Sequence, residues 1–324
     1  MFWGTPDVAS KTLDILKENG YIPSLIITSP DKPQGRKMIV TPPPVKVWAM
    51  ENNIPYIQPE KLHKGENVVF KSIAQADEPS IANFQQKIMC DFKNNILPEL
   101  FIVVAYGKII PEEILNIPKF GSINVHYSLL PKYRGASPVE SAILNGDTET
   151  GVTIQKMVYK MDAGDIVAQE NTKIIPDETA PELRERLIKI GGDLLVKTLE
   201  TPTPPLPSPK EREKFEGVRQ DESLATHCKK IKKEDGLISE KDLRESVLDQ
   251  SKSVMLYNKF RAYAHWPRTF FFKENKRIII TQAELENNST NKAQGKQFVI
   301  KKVLPEGKKE IDWKTFQIQG KALY

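Results

Sequence analysis

The run Asn124-Val125-His126-Tyr127-Ser128-Leu129-Leu130-Pro131-Lys132-Tyr133-Arg134-Gly135-Ala136 opens as the end of a strand and closes as a loop. Residues 122–125 read as extended backbone, and in such a segment Asn124 and His126, two positions apart, point to the same side. An apolar run, residues 100–105, precedes it, and the acidic turn Met161-Asp162-Ala163-Gly164-Asp165 follows. Asn, His and Asp can together move a proton and hold a developing negative oxygen without a metal. That combination points to transfer of an acyl-type group onto an amine.

On either side the chain alternates strand-like and helix-like stretches. Residues 21–28, 101–105, 122–125, 152–158 and 166–169 are apolar and β-rich enough to predict strands. Residues 7–19, 45–52, 109–116, 138–144 and 180–199 carry helical patterns, and a further helix is expected at 83–95 inside the long polar segment 61–98. This order predicts an α/β fold with a doubly wound sheet and a ligand at the carboxyl ends of its strands. Its first strand is expected to be stunted, since only Met1, Phe2 and Trp3 precede the Gly4-Thr5-Pro6 turn. That turn lacks the Gly-Lys-Ser/Thr ending of a phosphate loop.

The proline-rich residues 201–209 cannot continue a helix. They set the expected domain boundaries: a catalytic domain over 1–200, a linker over 201–220 and a smaller domain over 221–324. In that smaller domain, residues 270–272, 277–281, 297–303 and 315–319 read as the short strands of an OB-like β-barrel.

Apolar residues make up 39% of the 324 and charged residues 27%, a globular balance that excludes a disordered chain. No stretch approaches the roughly 20 apolar residues of a membrane span, and the N-terminus lacks the pattern of an export signal. The two cysteines, Cys90 and Cys228, have no metal-ligand spacing, so free thiols in a reducing cytoplasm are expected. Residues 206–324 hold 25 Lys and Arg against 17 Asp and Glu, whereas the rest of the chain is slightly acidic. A basic second half suits a polyanionic partner. Arg36 and Lys37 in a Pro/Gly-rich loop, and Lys229 and Lys230 in a basic run, are the candidate contacts.

An amine attacking an amide-like carbonyl must be neutral, its tetrahedral oxygen must be stabilised, and a proton must reach the leaving nitrogen. Asn124 can donate to the oxyanion. Asp162 can orient or charge His126, or relay the proton through water.

At these residues the chain resembles a known family. Residues 123–138 (INVHYSLLPKYRGASP) resemble the motif of enzymes that use 10-formyltetrahydrofolate, and the longer pattern is similar to the methionyl-tRNA formyltransferase family. Residues 4–6, 29–46 (SPDKPQGRKMIVTPPPVK), 103–111 (VVAYGKIIP), 161–166 (MDAGDI) and 305–308 extend the resemblance over nearly the whole chain. It implies a Rossmann-like catalytic domain followed by the OB-like domain. It also implies Asn124, His126 and Asp162 as catalytic residues, with no metal. Ser128, Leu129, Leu130 and Pro131 take the folate-loop positions, with Val104, Ala105, Tyr106 and Gly107 walling the same pocket. Arg36 and Lys37 fall in a loop similar to the one with which the family probes the acceptor end of initiator tRNA. The protein is expected to be monomeric. Two other readings stay open: the same chemistry on another amine such as an amino sugar nucleotide (or folate hydrolysis), and a non-catalytic RNA-binding protein. The departures are the clipped first strand, the poorly matching residues 63–95, and Gly236-Leu237-Ile238-Ser239 where the family carries an acidic-Trp ending.

Overall fold

The computed structural model describes residues 1–35, 37–62, 98–200, 217–288 and 295–319. Arg36, His63, the helix expected at 83–95, Cys90 and most of the expected linker lie outside them. The first half runs β1 Phe2–Gly4, α1 Asp7–Glu18, β2 Ile26–Ile27, β3 Lys32–Gln34, β4 Ile39–Thr41, α2 Pro44–Glu51, β5 Tyr56–Ile57, β6 Phe101–Val104, α3 Glu112–Leu115 and β7 Ser122–His126. Then come β8 Arg134–Gly135, α4 Pro138–Leu144, β9 Glu149–Lys156, β10 Ile166–Lys173, α5 Ala180–Glu200 and β11 His227–Cys228. The chain ends with α6 Glu240–Ser246, α7 Gln250–Ala262, β12 Phe270–Lys273, β13 Lys276–Asn288, β14 Gly295–Pro305, β15 Ile311–Asp312 and α8 Trp313–Gln319. Among the described residues no helix is long and apolar enough to cross a membrane.

The chain forms two units. The first comprises Met1–Arg134, Gly151–Asn171 and Glu185–Thr226. Its sheet has the order β10-β9-β7-β6-β1-β2-β5, with β5, β2, β1, β6 and β7 parallel and β9 antiparallel to β7. The chain winds outward from β1 through β2 to β5, then returns to the other side of β1 through β6 and β7. The reversal lies between β1 and β6, the place where doubly wound sheets bind ligands. The first strand is as short as the sequence suggested, yet it is central. Phe2 and Trp3 are fully buried, paired to Ile26 and Ile27 on one side and to Ile102 and Val103 on the other. Trp3 packs on Phe101 and edge-on against Tyr106, each at 5.3 Å between ring centres. Each such large side chain contributes about 1.5–3 kcal/mol of burial.

Two expected elements are shorter than their patterns. Residues 21–28 yield only the strand at Ile26–Ile27, because Tyr21 N–H closes the end of α1 on Leu16 O (2.8 Å) and Pro23 has no N–H to pair. Residues 109–116 yield only Glu112–Leu115, since Pro111 sits at the entrance. Helix α5 approaches the sheet closely through Gly191 and helix α1 through Gly192. A Cβ at 191 would come within 3.1 Å of Val152 Cγ1, and one at 192 within 2.5 Å of Ile15 Cδ1.

The second unit comprises Gly135–Thr150, Thr172–Arg184 and His227–Tyr324. Its four-stranded antiparallel sheet, β12-β13-β14-β15, is the small OB-like β domain that the short strand patterns foretold. Register shifts at Ile280, Gln282 and Ala283 curve the long β13–β14 pair. Residues 315–319 depart from expectation: they are not a strand but part of the helix Trp313–Gln319. Trp313 and Phe316, three apart, share one face of that helix and both meet the fully buried Phe271, at 6.0 and 6.3 Å. Their packing outweighs the period-2 pattern of Thr315-Phe316-Gln317-Ile318.

Candidate active site

The alternation of β7 sorts its side chains. Ile123 and Val125 are buried in the core, while Ser122, Asn124 and His126 line the other face. Asn124 is half-buried, and among the described residues nothing hydrogen-bonds its carboxamide. Its neighbours in register are Val103 on β6 and Gln155 on β9.

His126 is 6% exposed. Its Nε2 lies 2.9 Å from the Tyr133 carbonyl oxygen. A carbonyl can only accept, so Nε2 donates this bond. The other ring nitrogen, Nδ1, faces Asp162 Oδ1 at 3.7 Å, beyond hydrogen-bond length.

Asp162 is held from several directions. Gln155 Nε2 donates to its Oδ1 at 2.9 Å, and Gln220 Nε2 donates to its carbonyl at 2.9 Å and to that of Gly164 at 2.7 Å. Gln220 Oε1 accepts from Arg134 Nε and from an Arg134 terminal nitrogen, at 3.0 and 2.8 Å. Glu222 bonds the same guanidinium at 2.9 and 3.2 Å and Lys160 at 2.8 Å. Bonds from Arg134 and Lys160 pull the Glu222 carboxyl down to about 2.

The loop after β7 is fixed on Thr153. The Thr153 hydroxyl donates to Ser128 O at 2.6 Å and accepts from Leu130 N–H at 3.1 Å. Gln169 Nε2 bonds both that hydroxyl (2.8 Å) and Leu130 O (3.0 Å). Ser128 and Leu130 are buried, whereas Leu129 and Pro131 are partly open. At the end of β6, Val104 and Tyr106 are buried, and Ala105 and Gly107 are exposed with φ of 47° and 79°. The Thr5 hydroxyl donates to Tyr106 O at 3.0 Å and ties this loop to the turn after β1.

The structure thus brings Asn124, His126 and Asp162 into one neighbourhood, joined through Gln155. Lys37 stands apart, exposed between β3 and β4 beside the exposed Met38, Ile39 and Val40. That hairpin is anchored at its base by Asp31, which pairs with Lys46 at 3.0 Å and accepts from Gln58 at 2.7 Å. Lys229 and Lys230 are exposed in the second unit. The pattern did not single out Arg134, Gln155 or Gln220. Gln155 carried a signal, being the polar end of the buried run Val152-Thr153-Ile154. Gln220 carried none, since it fell in the expected linker.

Residues 1–199 match the family described as formyl transferase, and residues 230–319 match its C-terminal domain. The chain belongs to the methionyl-tRNA formyltransferase family. It is 38% identical to the methionyl-tRNA formyltransferase of Caldicellulosiruptor saccharolyticus, over 88% of this chain and 79% of that protein. It is 36% identical to that of Sulfurihydrogenibium sp., over 91% and 83%. Among solved structures, an N-formyltransferase from Helicobacter canadensis, in complex with folinic acid and dTDP-3-aminofucose, shares the fold with a TM-score of 0.55. It is 17% identical over 92% of this chain and 97% of that one.

Proposed function

We propose that this formyltransferase moves a formyl group from 10-formyltetrahydrofolate to the α-amine of methionine carried by initiator tRNA. The observation that carries the reading is the meeting of His126 Nδ1 and Asp162 Oδ1 at 3.7 Å, beside an Asn124 carboxamide with no partner among the described residues. Relatives at 35–38% identity that bear the tRNA enzyme's name support the choice of acceptor.

An α-amine titrates at about 7.7–8.0, so part of it is neutral without a strong base. The nitrogen attacks the formyl carbon and a C–N bond forms. Asn124 donates its amide N–H to the oxygen that gains negative charge. His126 Nδ1 takes the proton the amine releases, and the Asp162 carboxylate stabilises the resulting imidazolium. The same proton is then available to the leaving nitrogen as its bond to the formyl carbon breaks. The chain's groups complete this cycle without net gain or loss of protons. The open backbone at Ala105 and Gly107, the partly open Leu129 and Pro131, and the buried frame of Val104, Tyr106, Ser128 and Leu130 would receive the folate. Arg36, Lys37, Lys229 and Lys230 would meet the tRNA phosphates. No step is assigned to a metal, and the protein is read as a cytoplasmic monomer.

The test is a formylation assay with charged initiator and elongator methionyl-tRNA side by side, repeated with an amino sugar nucleotide. Selective formylation of the initiator supports the reading. Formylation of the sugar alone would sink it.

A further inference from the structure

We propose that Gln220 is a positioning residue for formyl transfer, acting through Asp162; the idea rests on the functional reading above. The segment that bears it lies between the two ranges matched to the family, 1–199 and 230–319. It is nonetheless part of the first unit. Gln220 is 5% exposed, and its side chain is fully engaged. Oε1 uses both lone pairs on Arg134, and Nε2 donates to the carbonyls of Asp162 and Gly164, with Gln155 Oε1 a longer contact at 3.5 Å. The Arg134 guanidinium has only donors, so it dictates which end of the amide faces it. The amide nitrogen is thereby turned toward the Asp162 turn. Glu222 balances the charge of the buried guanidinium.

The turn needs such a clamp. Asp162 holds φ at 50°, a left-handed conformation that a residue with a Cβ keeps only when its surroundings enforce it. Two further bonds splint the same stretch: Ile166 N–H to Val218 O and Val218 N–H to Ile166 O, both 2.8 Å. Gln155 then fixes the Asp162 carboxylate itself at 2.9 Å. Gln220 sets the backbone and Gln155 the side chain, and together they aim the carboxylate at His126 Nδ1.

The experiment uses the full chain with Gln220→Glu, Gln220→Met and Asp162→Asn, singly and combined. Glutamate still accepts from Arg134 but has no N–H for the two carbonyls. Methionine keeps the length and loses every bond, and serves if the glutamate variant fails to fold. kcat is expected to fall about 10- to 100-fold, with KM for folate and tRNA within about twofold. In the Asp162→Asn background the Gln220 substitution is expected to change kcat by less than about twofold. Amides of residues 162–166 are expected to exchange with deuterium at least about tenfold faster, while the β12–β14 amides stay unchanged. An unaltered kcat, a loss that multiplies with Asp162→Asn, or unaltered exchange at 162–166 would overturn the proposal. Wild-type protein that leaves methionyl-tRNA unformylated would instead remove the substrate reading. The exchange measurement needs no substrate and still decides whether Gln220 holds the turn.

Discussion

The Nδ1 of His126 faces Asp162 Oδ1 at 3.7 Å while its Nε2 is bound to the Tyr133 carbonyl. One nitrogen is thereby left for proton transfer. His126→Gln can keep a hydrogen bond to Tyr133 O but offers no basic nitrogen to take a proton. Turnover is expected to fall by about 10²–10⁴, the range for loss of a positioned acid–base group. Binding of tRNA, measured by titration without folate, should change little. Equal loss of binding and turnover would make His126 a packing residue instead.

Unlike the side chains of His126 and Gln155, the Asn124 carboxamide has no hydrogen-bond partner among the described residues. Asn124→Ala is therefore expected to leave the urea midpoint nearly unmoved. It should lower kcat by about 10²–10³, as loss of one oxyanion donor does. A large stability loss with a small kcat effect would contradict the assignment.

Gly164 is part of the Asp162 turn, and a Cβ there would fall 1.8 Å from Lys156 O. Gly164→Ala cannot be accommodated by rotating a side chain, since the obstacle is backbone. The turn must shift, and Asp162 with it. A stability loss of about 1–3 kcal/mol is expected from urea unfolding, together with a fall in kcat of about 10². Wild-type kcat in this variant would mean the turn's placement is irrelevant to the chemistry.

The legible parts of the site were those encoded locally. Asn124 and His126 could be paired because a strand repeats every two residues, and Asp162 stood out as an acidic turn. The clamp on that turn was not legible. Gln220 and Arg134 are 86 positions apart, and their pairing follows from the fold rather than from any short pattern. Arg134, unremarked within its motif, is 1% exposed. In the second unit, the alternation at 315–319 predicted a strand. The rings of Trp313 and Phe316 on Phe271 made it a helix. Local pattern lost there because aromatic packing is settled by partners far away in the chain.

Lys229 and Lys230 are both exposed, as groups that bind phosphate must be. Substituting both by alanine is expected to weaken tRNA binding. The slope of log K against log salt should become shallower by about 1 for each phosphate that is no longer neutralised. Folate binding should be unaffected. An unchanged slope would show that these lysines are only solvated surface.

Glu222 gives the pH prediction. Its carboxyl is pulled from an ordinary 4.5 to about 2 by the bonds from Arg134 and Lys160. The folded-state value is the lower one, so the stabilisation is fully present above about 4.5. It is lost as the pH falls through about 2, where the carboxylate protonates in the folded protein too. The urea midpoint of wild type should therefore exceed that of Glu222→Gln at pH 6. The gap should shrink steadily below about 4.5 and close near 2. Salt should narrow it at pH 6, because Glu222 is 52% exposed. A gap that widens on acidification would show that Glu222 is not held as the anion by Arg134 and Lys160.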